Sequence, residues 1–193
     1  MHDPVHSDSC SHMTDSSTAA ETDSTFDPET AAERGAVEYA ERTYVHETAD
    51  HCEADANGRV VVGVTDDRER CLLLVDRERS IAVLPNAVVA PGADWDTAAR
   101  EAVAEAGGLD IDVVEPIRVR RVEHTTEEAD DPHNVSDHVL FEADVVGDSD
   151  PTTPDDSPFE AGWYDALPVE IPDDLPRGGD VLEDIGAFVD IDD

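Results

Sequence analysis

Glu101 and Glu105 lie four residues apart in DTAAREAVAEAGG, Asp96 to Gly108. On a helix that spacing is about one turn, so both carboxylates share a face. Paired carboxylate oxygens suit a hard divalent cation such as magnesium or manganese. Arg118 and Arg120 stand two apart in a run rich in valine, so on a strand they project from one face, opposite Ile117 and Val119. Two guanidiniums on one face hold a phosphate or a carboxylate through bidentate hydrogen bonds. Each pair also has a structural reading. The glutamates then sit in solvent beside a stripe of Ala98, Ala99, Ala102, Val103 and Ala106 that packs on a sheet. The arginines then pair with the abundant acids of neighbouring strands.

Other side chains with chemical capacity carry weaker patterns. His2, His6, Cys10 and His12 fall in a polar stretch without the spacing of a metal finger. His124, His133 and His138 flank an acidic loop, and His138 alternates with apolar neighbours as a partly buried strand histidine does. Glu123, Glu127 and Glu128 add acids near that loop. Trp163 and Tyr164 read as core aromatics, with stacking on a nucleobase as the sharper alternative.

The chain has 193 residues, of which 49 are acidic and 12 basic, a formal net charge of -37. All the basic residues are arginine. So acidic a surface repels itself in dilute buffer. In molar salt the Debye length falls to about 3 Å and the repulsion is screened. The acids spread along the whole chain, as in an adaptation to a salt-rich cytoplasm of haloarchaeal type. The same charge disfavours binding to a nucleic-acid backbone. Cys10, Cys52 and Cys71 are odd in number and lack framework spacing, so reduced thiols are expected. No apolar run is long enough to cross a membrane, and the first residues lack a secretory pattern. A cytoplasmic location follows as the expectation. Met13 stands beside Met1 as a candidate start, and the oligomeric state is open.

The elements that must position these groups follow from period and punctuation. Residues 1–26 are polar and read as a disordered tail. Asp27-Pro28 is a cap and first-turn proline, and Ala32, Ala36, Val37, Tyr39, Ala40 and Tyr44 predict a helix over 27–46. Strands are expected over 59–65, 71–75, 80–84, 111–114, 117–122 and 135–146. A helix is expected over 95–107, capped by Asp94 or Asp96 and closed by Gly107-Gly108. A short helix around Val181 to Phe188 ends the chain. The sum is an α/β sandwich with a mixed sheet: a domain over 57–170, with a C-terminal helix and acidic tail over 171–193.

The stretch LPNAVVAPGADWDTAAREAVAEAGGLDI, Leu84 to Ile111, resembles the Nudix box in its two turns, its helix and its closing Gly108-Leu109. AGWYDALP, Ala161 to Pro168, looks like the Trp-containing segment that follows the last core strand of Nudix domains, and HVLFEADVV like the strand before it. The resemblance implies a Nudix-like α/β/α sandwich and a nucleoside-diphosphate-type or related phosphorylated ligand. In the family the box glutamates hold magnesium or manganese on a pyrophosphate. Aligned on its flanks, this chain places Ala87 at the first glycine, Ala93 at the first glutamate, Glu101-Ala102 at the Arg-Glu pair and Glu105-Ala106 at the Glu-Glu pair. Sliding the helix by one residue restores Arg100-Glu101 but puts Gly108 where an aliphatic residue belongs. Glu105 stays in place under both. Glu105 and Glu101 are therefore the catalytic and metal candidates, and Arg118 and Arg120 the ligand-binding candidates.

The expectation is a Nudix-fold domain that binds its ligand with hydrolysis weakened or lost. The alternatives are an active Mg- or Mn-dependent hydrolase of nucleoside diphosphates linked to another group, and a non-catalytic structural or partner-binding protein. The net charge makes a test independent of function: the thermal unfolding midpoint rises steadily between about 0.1 M and 2 M KCl. A midpoint insensitive to salt would count against the screening account.

Overall fold

Val60, Val62 and Val64 on β2 (Gly58–Thr65) enter one apolar cluster, whereas Val61 packs against another. This period-two split recurs on β3 (Cys71–Asp76), where Leu72 faces one side and Cys71, Leu73 and Val75 the other. On β7 (Asn134–Val145) it divides Val139, Phe141 and Ala143 from Leu140. A sheet apolar on both faces needs a cover on each. The computed structural model describes residues 26–50, 56–129, 131–147, 150–172 and 178–191. It supplies the covers as α2 (Trp95–Gly107) and α3 (Gly178–Ile185) on opposite faces.

The mixed sheet has eight strands, running β1-β6-β7-β2-β3-β4 with β5 on β2 and β8 on β3. Here β1 is Glu38–His46, β4 Ile81–Val83, β5 Asn86–Val89, β6 Ile111–Thr126 and β8 Glu160–Tyr164. β1 with β6 and β2 with β7 are parallel; the remaining pairs are antiparallel. The architecture is thus the expected α/β/α sandwich.

The helix over Trp95–Gly107 forms where its signals place it. Asp94 is the N-cap, its side chain accepting from the Thr97 N–H at 2.8 Å. Gly108 closes it at φ 65, a left-handed conformation that favours glycine. Trp95, Ala99, Ala102 and Val103 are buried. The alanines let α2 lie close to the sheet.

The N-terminal region differs from expectation. α1 covers only Pro28–Glu33, and Gly35 at φ 63 turns the chain out of it. Residues 38–46, expected in that helix, form β1. The run EYAERTYVH is rich in β-branched and aromatic residues, and in the strand Ala40, Arg42, Tyr44 and His46 take the less exposed face. Parallel pairing with β6, Glu38 opposite Arg118 through His46 opposite Thr126, settles the ambiguity. The tail expected over 1–26 lies outside the described residues up to 25. Phe26 packs edge-on against Trp95 and Phe141, with ring centroids 6.3 and 5.4 Å away.

Two further strands depart from the sequence reading. Residues 111–122, expected as two strands, belong to one strand of 16 residues. Register shifts on either side of Pro116 absorb the missing N–H. They also alter the faces: Ile117 packs on the α3 side, the side to which Arg118 also points, while Val119 lies under α2. The segment around Trp163 is itself a strand, β8, antiparallel to β3.

Gly58 shows how tightly α2 and the sheet close. A Cβ there would stand 2.0 Å from the Asp137 carbonyl oxygen and 2.6 Å from the Trp95 ring. Backbone cannot yield as a side chain does, so Gly58→Ala is expected to cost about 1–3 kcal/mol by chemical denaturation. A change within error would show that β2 and β7 are less closely apposed.

Candidate functional site

Arg120 on β6 is buried, and its guanidinium meets α3. Its Nη1 donates to Asp184 Oδ2 at 2.8 Å and its Nη2 to Glu183 Oε2 at 2.9 Å. Arg118, two residues before on the same face, donates through Nη1 to Asp184 Oδ1 at 2.9 Å and through Nη2 to Glu38 Oε2 at 2.9 Å. From β1, Arg42 Nε donates to Asp180 Oδ1 at 2.9 Å and Tyr44 OH to Asp180 Oδ2 at 2.6 Å. Asp180, Glu183 and Asp184 are spaced i, i+3, i+4, so one face of α3 presents all three.

These contacts set the local charges. Burial opposes the charged form of Arg120, but the hydrogen bond and charge of Asp184 outweigh it and raise the pKa. Burial would likewise raise the Asp180 carboxyl; hydrogen bonds from Tyr44 and Arg42 and the charge of Arg120 hold it below the ordinary value. The hydrogen bond from Arg120 holds Glu183 low against a smaller effect of burial. Removing either partner of Arg120–Asp184 would strip a buried charge of its shortest ion pair, leaving Glu183 alone to offset Arg120 or Arg118 alone to offset Asp184.

α3 roofs a cleft of about 280 Å³ over the sheet. Its apolar lining comes from Val61, Val83, Leu84 and Val181, and its polar lining from Tyr44, Arg59, Asn86, Arg120, His138 and the carboxylates of Asp180 and Asp184. Asn86 is held at both ends of its amide. Its Nδ2 donates to the Leu84 carbonyl at 2.8 Å, and its Oδ1 accepts from Arg59 Nη1 at 2.5 Å. An apolar cavity with a few fixed polar groups is the usual form of a small-molecule site.

Beside the cleft, His46 Nε2 and His124 Nδ1 are 2.9 Å apart, and His124 Nε2 is 2.7 Å from Ser136 Oγ. These bonds allow His124 to be fully buried. The Tyr44 ring packs edge-on against His124 and His138 at 6.0 and 5.8 Å. Ser136 is itself buried, and burial pushes the Cys71 thiol up to about 12. Neither offers an accessible nucleophile.

Glu101 and Glu105 lie exposed on α2, across the sheet from Arg118, Arg120 and α3. The two sets of candidates are therefore on different layers. Among the described residues no three His, Cys, Asp or Glu side chains gather so as to hold a metal ion. Ala102 is buried and Ala106 half-buried, and neither has a donor. A donor set of two exposed carboxylates does not fit a centre that must balance a pyrophosphate with divalent cations. Glu123, Glu127 and Glu128 are exposed. His2, His6, Cys10 and His12 lie outside the described residues.

Arg42, Tyr44, His46, Arg59 and Asn86 were not singled out in the sequence. The first three sit on β1, where a helical reading scattered side chains that alternate on a strand. Arg59 and Asn86 carry no motif; only the pairing of Arg59 with Val88 and of Val61 with Asn86 brings them together. No helix among the described residues is long and apolar enough to cross a membrane.

A family model described as the NUDIX domain matches residues 56–184. A search of curated proteins gave no match. Among solved structures, a NUDIX hydrolase from Nitrosomonas europaea is similar at 19% identity, covering 56% of this chain and 57% of its own, with a TM-score of 0.40. This chain thus spans little more than half of that one. The E. coli dihydroneopterin triphosphate pyrophosphohydrolase is similar at 14% identity, covering 76% and 98%, TM-score 0.47. An ADP-ribose pyrophosphatase from Streptococcus suis is similar at 10% identity, covering 69% and 95%, TM-score 0.42.

The lowered pKa of Asp180 fixes the sign of a pH effect. Its stabilisation is complete above the ordinary carboxylate value of 3.8 and is lost as pH falls through the lower folded value. In molar KCl, the stability advantage of the wild type over Asp180→Asn should therefore shrink as pH drops from about 5 toward 3. An advantage that is constant or grows on acidification would contradict the assigned contacts.

Proposed function

The chain belongs to the NUDIX family, and on that premise we propose that it binds a small phosphorylated ligand of nucleoside-diphosphate type, with metal-dependent hydrolysis weakened or lost. NUDIX hydrolases generally use magnesium or manganese. The observation that carries the reading is the composition of α2 and the turn before it. Ala93, Ala102 and Ala106 stand where the box has glutamate, Ala102 is sealed in the core, and only Glu105 and Glu101 remain, both facing solvent. Two cations on a pyrophosphate carry more positive charge than that set balances. We class the box as degenerate on this ground.

The cleft beneath α3 is the proposed binding site. Its apolar walls suit a base or another uncharged moiety, and Arg120, with Arg118 beside it, is proposed to meet the phosphates. The proposed setting is a salt-rich cytoplasm, where the surface acids are screened. No nucleic-acid or membrane partner is invoked.

One assay separates the readings. The protein is incubated in molar KCl with magnesium or manganese and a panel of nucleoside diphosphate derivatives, and binding is followed by calorimetry. Binding without turnover is the expected result. Turnover abolished by Glu105→Ala would instead make Glu105 and Glu101 a working metal grip completed by loop acids. No binding across the panel would leave a structural or partner-binding protein.

A further inference from the structure

Three of the chain's 12 basic residues, Arg42, Arg118 and Arg120, converge on one face of the sheet, and α3 answers with three carboxylates. Each carboxylate bridges at least two guanidiniums, and Glu183 also stands 4.0 Å from Arg118. Asp184 joins Arg118 and Arg120; Glu183 joins Arg120 and Arg42 at 2.9 and 3.3 Å; Asp180 joins Arg42 at 2.9 Å and Arg120 at 3.6 Å. Anionic groups in a row, each shared by two arginines, is also how a polyphosphate would be gripped.

The helix does not saturate the arginines. Arg120 Nε is buried and has no hydrogen-bond partner among the described residues, since its nearest carboxylate oxygen, on Asp180, is 3.6 Å away. A buried charged donor without an acceptor is an unmet demand for an anionic oxygen, and Arg120 lines the cleft. The carboxylates are also unequally held. The side chain of Asp184 is 9% exposed and that of Asp180 is 16%, whereas that of Glu183 is 38% exposed. α3 itself is fixed by Ile185 and Val189 in the core and by Phe188 seated over Gly63. The backbone therefore stays while one side chain can leave.

We propose that the carboxylates of α3 are an internal stand-in for phosphates, and that Glu183 yields its place on Arg120 and Arg42 to a polyphosphate chain. Asp184 remains as the anchor. Binding is then an exchange of one anion for another, and the closed form of the site is self-inhibited. This rests on the reading of the cleft as a phosphate-ligand site and extends that site past the cleft's lining, through Arg120, to Arg42 as a contact and Glu183 as the regulator.

Inorganic tripolyphosphate is the probe, titrated calorimetrically into the full chain at the lowest KCl concentration that keeps it folded. Glu183→Gln keeps the shape and removes the charge, and should tighten binding about tenfold. Arg42→Gln should weaken binding by a similar factor. A purely structural ion pair predicts lower stability for Glu183→Gln and unchanged or weaker binding, which overturns the proposal. A second readout needs no variant: in wild-type protein carrying carboxyl-labelled glutamate, the Glu183 resonance should shift toward that of a free side chain on saturation, and an unmoved resonance overturns the exchange. If a nucleoside diphosphate derivative binds while tripolyphosphate does not, the exchange fails and the proposed function stands; if neither binds, both fail.

Discussion

Arg120 is withdrawn from solvent, and its pairing with the buried Asp184 anchors the charged side of α3 on the sheet. A buried cation must be matched by fixed anions, or its desolvation is not offset. That requirement brings the acidic face of α3 down onto β6. Tyr44 and Arg42 then reach Asp180 from β1. The apolar side of α3 follows, with Ile185 entering the second core cluster. The cleft exists because α3 is held at its charged end over a floor of Val61, Val83 and Leu84.

The sheet separates two chemistries. On one face α2 packs through small residues and turns its glutamates outward; on the other, arginines and carboxylates are gathered beside a cavity. Small side chains explain why α2 fits so closely against β2 and β5, since an alanine stripe leaves room for the backbone but no ligand atoms. The same substitution thus favours packing and removes the donors.

Much of the architecture was legible in the sequence, and the reasons are local. The cap at Asp94 and the close at Gly108 bound α2 because backbone chemistry at helix ends is determined by a few neighbouring residues. β2, β3 and β7 showed their alternation or their apolar runs. β1 did not, because its apolar residues Tyr39, Ala40, Tyr44 and Val45 show no alternation, and only pairing with β6, some 80 residues away, makes it a strand. β5 was hidden for the same reason: four residues have no period of their own. At the site, Arg118 and Arg120 were recognisable as a cluster, but their partners on α3 come from about 65 residues downstream. Nothing in the order of the chain shows that the two glutamates and the two arginines belong to opposite faces.

The stretch that carries the family likeness, residues 56–184, is shorter than the stretch that folds around it. β1 lies wholly before it, yet it completes the sheet beside β6 and supplies Arg42 and Tyr44. Val189 and Phe188 lie after it and seal α3 against the sheet. A chain trimmed to the family match would keep the box and bare the backbone of β6, the longest strand, along its outer side. Such an edge is a template for any strand that comes near. With β1 in place the open edge passes to a strand of nine residues carrying Glu38, Glu41 and Arg42, and charges on a short edge discourage the pairing that a bare β6 would invite.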